Sequence, residues 1–96
     1  MSEIRIVATI IAKDNEVEFV KLATKSLVEP SNRDEGCLLY ELHQDNANPN
    51  TFIFFEIWKD QQSLDKHNAT QHLQDIIKKI EDKIDLLDVK LISKIA

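Results

Sequence analysis

Residues 51–72 read TFIFFEIWKDQQSLDKHNATQH, a stretch that holds three of the four Phe, the only Trp and two of the three His of the 96-residue chain. Its first half, Thr51 to Trp58, is dense in aromatic and β-branched residues, the composition of a strand covered on both faces. Alternation puts Phe52, Phe54, Glu56 and Trp58 on one face and Ile53, Phe55 and Ile57 on the other. Glu56 is out of character. A carboxylate among large apolar neighbours must find a partner, reach water or hold a raised pKa, so it is either a structural acceptor or part of a site. From Asp60 the pattern turns polar and helical: a short helix near Gln61 to His67, then a second from about Thr70 with Leu73, Ile76, Ile77, Ile80 and Ile84 on one side.

Outward from this stretch, Ile4 to Ala12 alternates as a central strand, with Ile4, Ile6, Ala8 and Ile10 on one face. Asp14 or Asn15 is placed to cap a helix whose Phe19, Val20, Ala23 and Leu27 form a single buried stripe. Pro30 should kink or end it, and the polar run Ser31 to Glu35 leads to Gly36, the only glycine, at a turn. Cys37 to Gln44 alternates again, with Leu38, Tyr40 and Leu42 opposed to Cys37, Leu39, Glu41 and His43. The turn-rich segment Asp45 to Asn50 joins this strand to Thr51–Trp58 as an antiparallel hairpin. Leu87, Val89, Leu91 and Ile95 recur with strand spacing at the C-terminal end. The resulting βαββαβ order predicts an α+β, ferredoxin-like fold of one domain over residues 1–96, with helices on one face of an antiparallel sheet. Because the strands are apolar on both sides, the other face calls for a cover. A second copy would supply it, making a homodimeric α/β barrel.

Seventeen acidic residues against twelve basic ones give a net charge of −5, which argues against a nucleic-acid partner. The apolar runs are too short to cross a bilayer, no secretory leader is legible, and a single cysteine fits a reducing, cytoplasmic setting. One glycine cannot make a phosphate-binding loop or a dinucleotide fingerprint, and no His-Glu-x-x-His or paired-cysteine spacing offers a zinc site, so no metal is expected.

The segments Glu35-Gly36-Cys37-Leu38, Tyr40-Glu41-Leu42, Phe52 to Trp58, and Leu64 to His67 followed by Asn68 to His72 resemble the antibiotic biosynthesis monooxygenase domain, whose quinol monooxygenase-like members are small dimeric barrels. Gln71 stands where the family usually has proline between threonine and histidine, and Phe54 and Ile57 leave no asparagine on the third strand to hold a reduced oxygen species. The resemblance implies oxygenation of a small phenolic or quinol-type aromatic substrate by dioxygen, without metal, flavin or haem. A deprotonated phenol is electron-rich enough to reduce dioxygen itself, so the protein need only bind, orient and deprotonate it.

On that reading Trp58, Phe54 and Tyr40 are walls for a flat ring, His67 or His72 takes the proton, and Glu56 orients a histidine or holds a hydroxyl. Each has a plainer alternative. Trp58 and Phe54 are core residues first, Glu56 is equally a structural tie, and the two histidines can simply satisfy the junction between helices. Cys37 has no base beside it and reads as packing. Two other functions fit the same fold: an isomerase of a small phosphorylated metabolite, needing Arg5, Lys25 or Arg33 at the pocket, and a non-catalytic ligand-binding dimer, needing no ring-sized cavity.

Overall fold

Strand alternation and helical spacing build the architecture almost directly. The computed structural model describes residues 3–96, in which β1 (Ile4–Ala12), β2 (Cys37–Gln44), β3 (Thr51–Trp58) and β4 (Ile84–Ile92) form one sheet in the order β2-β3-β1-β4. Every neighbouring pair is antiparallel. The helices α1 (Val17–Asn32), α2 (Gln61–Asn68) and α3 (Gln71–Ile80) cover one face, completing a ferredoxin-like α+β fold. None of the described helices is long and apolar enough to cross a membrane.

The covered face carries Ile6, Ala8, Ile10 and Ala12 of β1 and Phe52, Phe54, Glu56 and Trp58 of β3, all buried. Against them α1 presses Val20, Ala23, Thr24 and Leu27. Phe19 is not part of this stripe. It is 38% exposed, and the ammonium groups of Lys79 and Lys83 lie 5.8 and 5.5 Å from its ring centre, a cation–π arrangement at the surface. Neither Asp14 nor Asn15 caps α1: both lie in a 3-10 turn, Asp14–Glu16, and Asp14 instead accepts a hydrogen bond from Asn50 at 3.0 Å. Pro30 lies inside the last turn of α1. The helix stops two residues later, and the Arg33 and Asp34 amides close on the carbonyls of Pro30 and Ser31.

Two strand assignments differ from simple alternation. The β2–β3 register shifts between Cys37 and Leu39, so Cys37 pairs with Trp58 on the helix side, while Leu38 is 54% exposed at the bulge. Ile84 does not continue α3. It opens β4 opposite Ala12, while Lys13 donates to the Lys83 carbonyl at 3.0 Å, and Ile95 lies beyond the strand. The outer face carries Val7, Ile11, Leu39, Ile53, Phe55 and Ile57, all half-buried.

Candidate active site

The site is assembled where the turn after α1 meets the junction of α2 and α3. Asp60 caps α2, its Oδ1 accepting the Ser63 amide at 2.9 Å. Thr70 caps α3 by accepting the Leu73 amide, and its hydroxyl donates to the His67 carbonyl at 2.7 Å. Gln71 occupies the first position of α3, where proline's fixed φ would suit, and ties forward to Asp75 at 2.7 Å. The two caps fix the break that aims His67 and His72 toward one point.

That point is Asp34. Its Oδ2 receives His67 Nδ1 at 2.8 Å and His72 Nε2 at 2.9 Å. An ionised carboxylate only accepts, so the His67 proton sits on Nδ1 and Nε2 keeps its lone pair. His67 is 2% exposed, and burial holds its imidazole below the usual pKa against the opposing pull of Asp34. It is therefore an oriented imidazole whose neutral form is favoured, and no partner among the described residues engages Nε2.

His67 also stacks on Trp58, ring centres 4.4 Å apart and 33° between planes, with the Tyr40 ring edge-on at 5.4 Å. Behind it Trp58 Nε1 donates to Glu56 Oε1 at 2.9 Å. His67 and Glu56, with Tyr40, Phe54 and the apolar face of α3, line a cavity of about 230 Å³ between sheet and helices. Trp58 and His72 do not line it. Trp58, fully buried, backs the wall as the support of His67 and Glu56, whereas His72 reaches Asp34 from the outer side with 29% of its side chain exposed. The β4 flank of the cavity is uncovered, Leu87, Val89 and Leu91 being 46, 54 and 61% exposed.

Asp34 is the member that sequence reasoning missed. It lies in a polar turn where an aspartate has an ordinary local use, and its partners are 33 and 38 residues away. Cys37, by contrast, stays packing: burial, then the charges of Asp34 and Glu56, push its thiol up to about 11.

Glu56 carries a testable consequence. Burial raises its carboxyl above the ordinary 4.5, and the Trp58 bond only partly opposes this. The folded chain thus holds this proton more tightly than the unfolded one. The contribution to stability is full below the unfolded pKa and is lost as pH rises through the folded value. Glu56→Gln keeps an acceptor for Trp58 and removes the titration. Its Tm relative to the parent should therefore rise from about pH 4 to about pH 8, and a difference that stays flat over that range would refute the burial argument.

The family model for antibiotic biosynthesis monooxygenase matches residues 4–79. Among curated relatives, an uncharacterised protein of Synechocystis sp. is 33% identical over 69 residues, covering 72% of this chain and 46% of its own length. The "Putative monooxygenase YcnE" of Bacillus subtilis is 39% identical over 62 residues, covering 65% of this chain and 64% of its own. The chain thus spans less than two-thirds of either. The crystal structure of PA3566 from Pseudomonas aeruginosa superposes with a TM-score of 0.95 at 28% identity, covering 100% of this chain and 97% of that one. With the match running from β1 through nearly all of α3, the chain belongs to the antibiotic biosynthesis monooxygenase family.

Proposed function

We propose that the protein is a cofactor-independent monooxygenase that oxidises a small phenolic or quinol-type aromatic with dioxygen, as a homodimer. The observation that carries this is His67: a neutral imidazole in the wall of an apolar cavity, its Nδ1 committed to Asp34. A cavity of about 230 Å³ exceeds the ~150 Å³ dry cavity that admits benzene, so it suits one substituted ring or a compact fused pair.

The chemistry needs little else. His67 Nε2 takes the hydroxyl proton, the imidazolium so formed is stabilised by Asp34, and the phenolate left behind reduces dioxygen. A quinol plus O₂ gives a hydroxyquinone plus water, in which one oxygen atom enters the ring and the other leaves as water. All electrons come from the quinol. Glu56, which lines the cavity and is held by Trp58, would accept or donate at a second hydroxyl.

An isomerase of phosphorylated metabolites fits less well. Among the described residues no Lys or Arg lines the cavity; Arg5 lies on the outer face with Glu3, and Arg33 pairs with Glu29 at the surface. The dimer reading rests on the apolar outer face of the sheet, Val7, Phe55 and Ile57 among it, which no element among the described residues covers. Light scattering should give twice the 11.1 kDa chain mass, and the same fractions, after chelation, should consume oxygen with a menadiol-type quinol. No protein-dependent uptake across a panel of quinols and anthrones would overturn the activity, and a single-chain mass would overturn the dimer.

A further inference from the structure

We propose that Asp34, His67 and His72 form a binding site for a zinc-class divalent cation, and that occupancy of this site switches off the base. Asp34 Oδ2, His67 Nδ1 and His72 Nε2 all lie within 4.8 Å of one another. Two imidazole nitrogens and one carboxylate oxygen are a donor set for zinc, with a fourth position left to water. Calcium and magnesium, which take oxygen ligands, would not be selected by two imidazoles. The absence of a zinc motif in the sequence is explained by the same geometry, because the third ligand stands in a turn 33 residues before the first histidine.

The site is close to the required size. At 2.8 and 2.9 Å from Asp34 Oδ2 the nitrogens are at hydrogen-bond distance. Tetrahedral zinc, with bonds of about 2.0–2.1 Å, separates its ligands by roughly 3.3 Å, so Asp34 must withdraw by about half an ångström while the two nitrogens, which lie within 4.8 Å of each other, close toward that spacing by movement of the partly exposed His72. A turn residue with 16% of its side chain exposed has that room, and His72 at 29% provides the entry from solvent. The far side is rigid, since His67 stacks on Trp58 and its carbonyl is held by Thr70.

The chemical consequence follows from imidazole tautomers. Metal on Nδ1 of His67 takes the lone pair there, so the ring's one proton must sit on Nε2. No proton is gained or lost overall: each histidine moves its hydrogen to its other nitrogen as the metal replaces the hydrogen bond to Asp34. The nitrogen that faced substrate as an acceptor becomes a donor, and the cavity keeps its shape but loses its base. This second half rests on the function proposed above. The binding half does not.

Metal-stripped protein titrated with zinc against a chromogenic chelator should bind one equivalent with a Kd in the micromolar range or below. His72→Gln and Asp34→Asn should each weaken it at least about tenfold, with circular dichroism confirming that the variants fold. With a quinol substrate, zinc should suppress oxygen uptake with a midpoint that matches the titration. Failure of the parent protein to bind zinc, or binding unaltered in both variants, overturns the site. If no quinol is oxidised, the function falls, and the chelator titration still decides the site. If zinc binds and oxidation proceeds undiminished, the switch is overturned.

Discussion

Replacing His67 with glutamine should lower quinol-dependent oxygen uptake by about 10²–10⁴-fold, the range that a positioned general base supplies. The effect is large because no other imidazole lines the cavity among the described residues. Tyr40 is a poor base: its phenol is driven far above its ordinary pKa by burial and by Glu56, so it stays protonated. Glu56 is itself raised by burial and tied to Trp58. Glutamine retains much of the volume packed against Trp58 and Tyr40, so the loss reports chemistry more than folding. Asp34→Asn should cost nearly as much by another route. An amide at this position carries no charge to stabilise the imidazolium, and where its nitrogen faces Nδ1 it donates there, which moves the ring proton to Nε2 and removes the acceptor. Added imidazole should restore part of the rate in a His67→Gly variant, where the ring has left a hole of its own shape. Activity within a factor of about three of the parent in His67→Gln would end the assignment of this residue as the base.

The contrast between what the chain revealed and what it hid has a physical origin. The bounds of β1, β2 and β3 and the Val20, Ala23 and Leu27 stripe of α1 are local periodicities, readable one residue at a time. Ile84 reads as helix because it lies four residues after Ile80 and is out of step with Leu87, Val89 and Leu91; only the turn at Glu81–Lys83 and a β1–β4 register shift, which sets it opposite Ala12, put it in the strand. The bulge at Leu38 is equally silent in sequence, since an extra residue leaves the alternation of apolar side chains intact on either side of it. Trp58 illustrates the limit for the site. Residue type marks it as a flat apolar surface, but only the register, with Cys37 opposite and His67 stacked over it, puts it behind the cavity wall instead of in it. Asp34 is legible only once the contact between the α1 turn and the α2–α3 junction is known.

Gly36 is where that contact is made possible, and Gly36→Ala should be the most damaging single-methyl change in the chain. Its φ of +81° lies in the left-handed region, where a side chain costs ~1–2 kcal/mol. The added Cβ would also overlap Oγ and Cβ of Ser63, a buried residue of α2. Neither side can yield easily. The Gly36 carbonyl accepts the Lys59 amide at 2.8 Å, and the Ser63 amide is held by Asp60 at 2.9 Å. With overpacking adding about 1–3 kcal/mol, the total of roughly 2–5 kcal/mol is a large share of a small domain's stability and should lower Tm by more than about 10 °C. A second substitution separates the two costs. In Gly36→Ala/Ser63→Gly the overlap is gone and the φ penalty remains, together with about 0.5–1 kcal/mol for a glycine inside a helix. The double-mutant cycle should therefore show a favourable coupling of about 1–3 kcal/mol. Activity should follow stability only in part, because pushing α2 away from the turn pulls His67 off Asp34, two residues from the glycine. The double variant should recover oxygen uptake more fully than it recovers Tm. A loss below about 1 kcal/mol in Gly36→Ala, or no coupling with Ser63, would show that the turn and α2 are not in the close contact on which the Asp34–His67 pair depends.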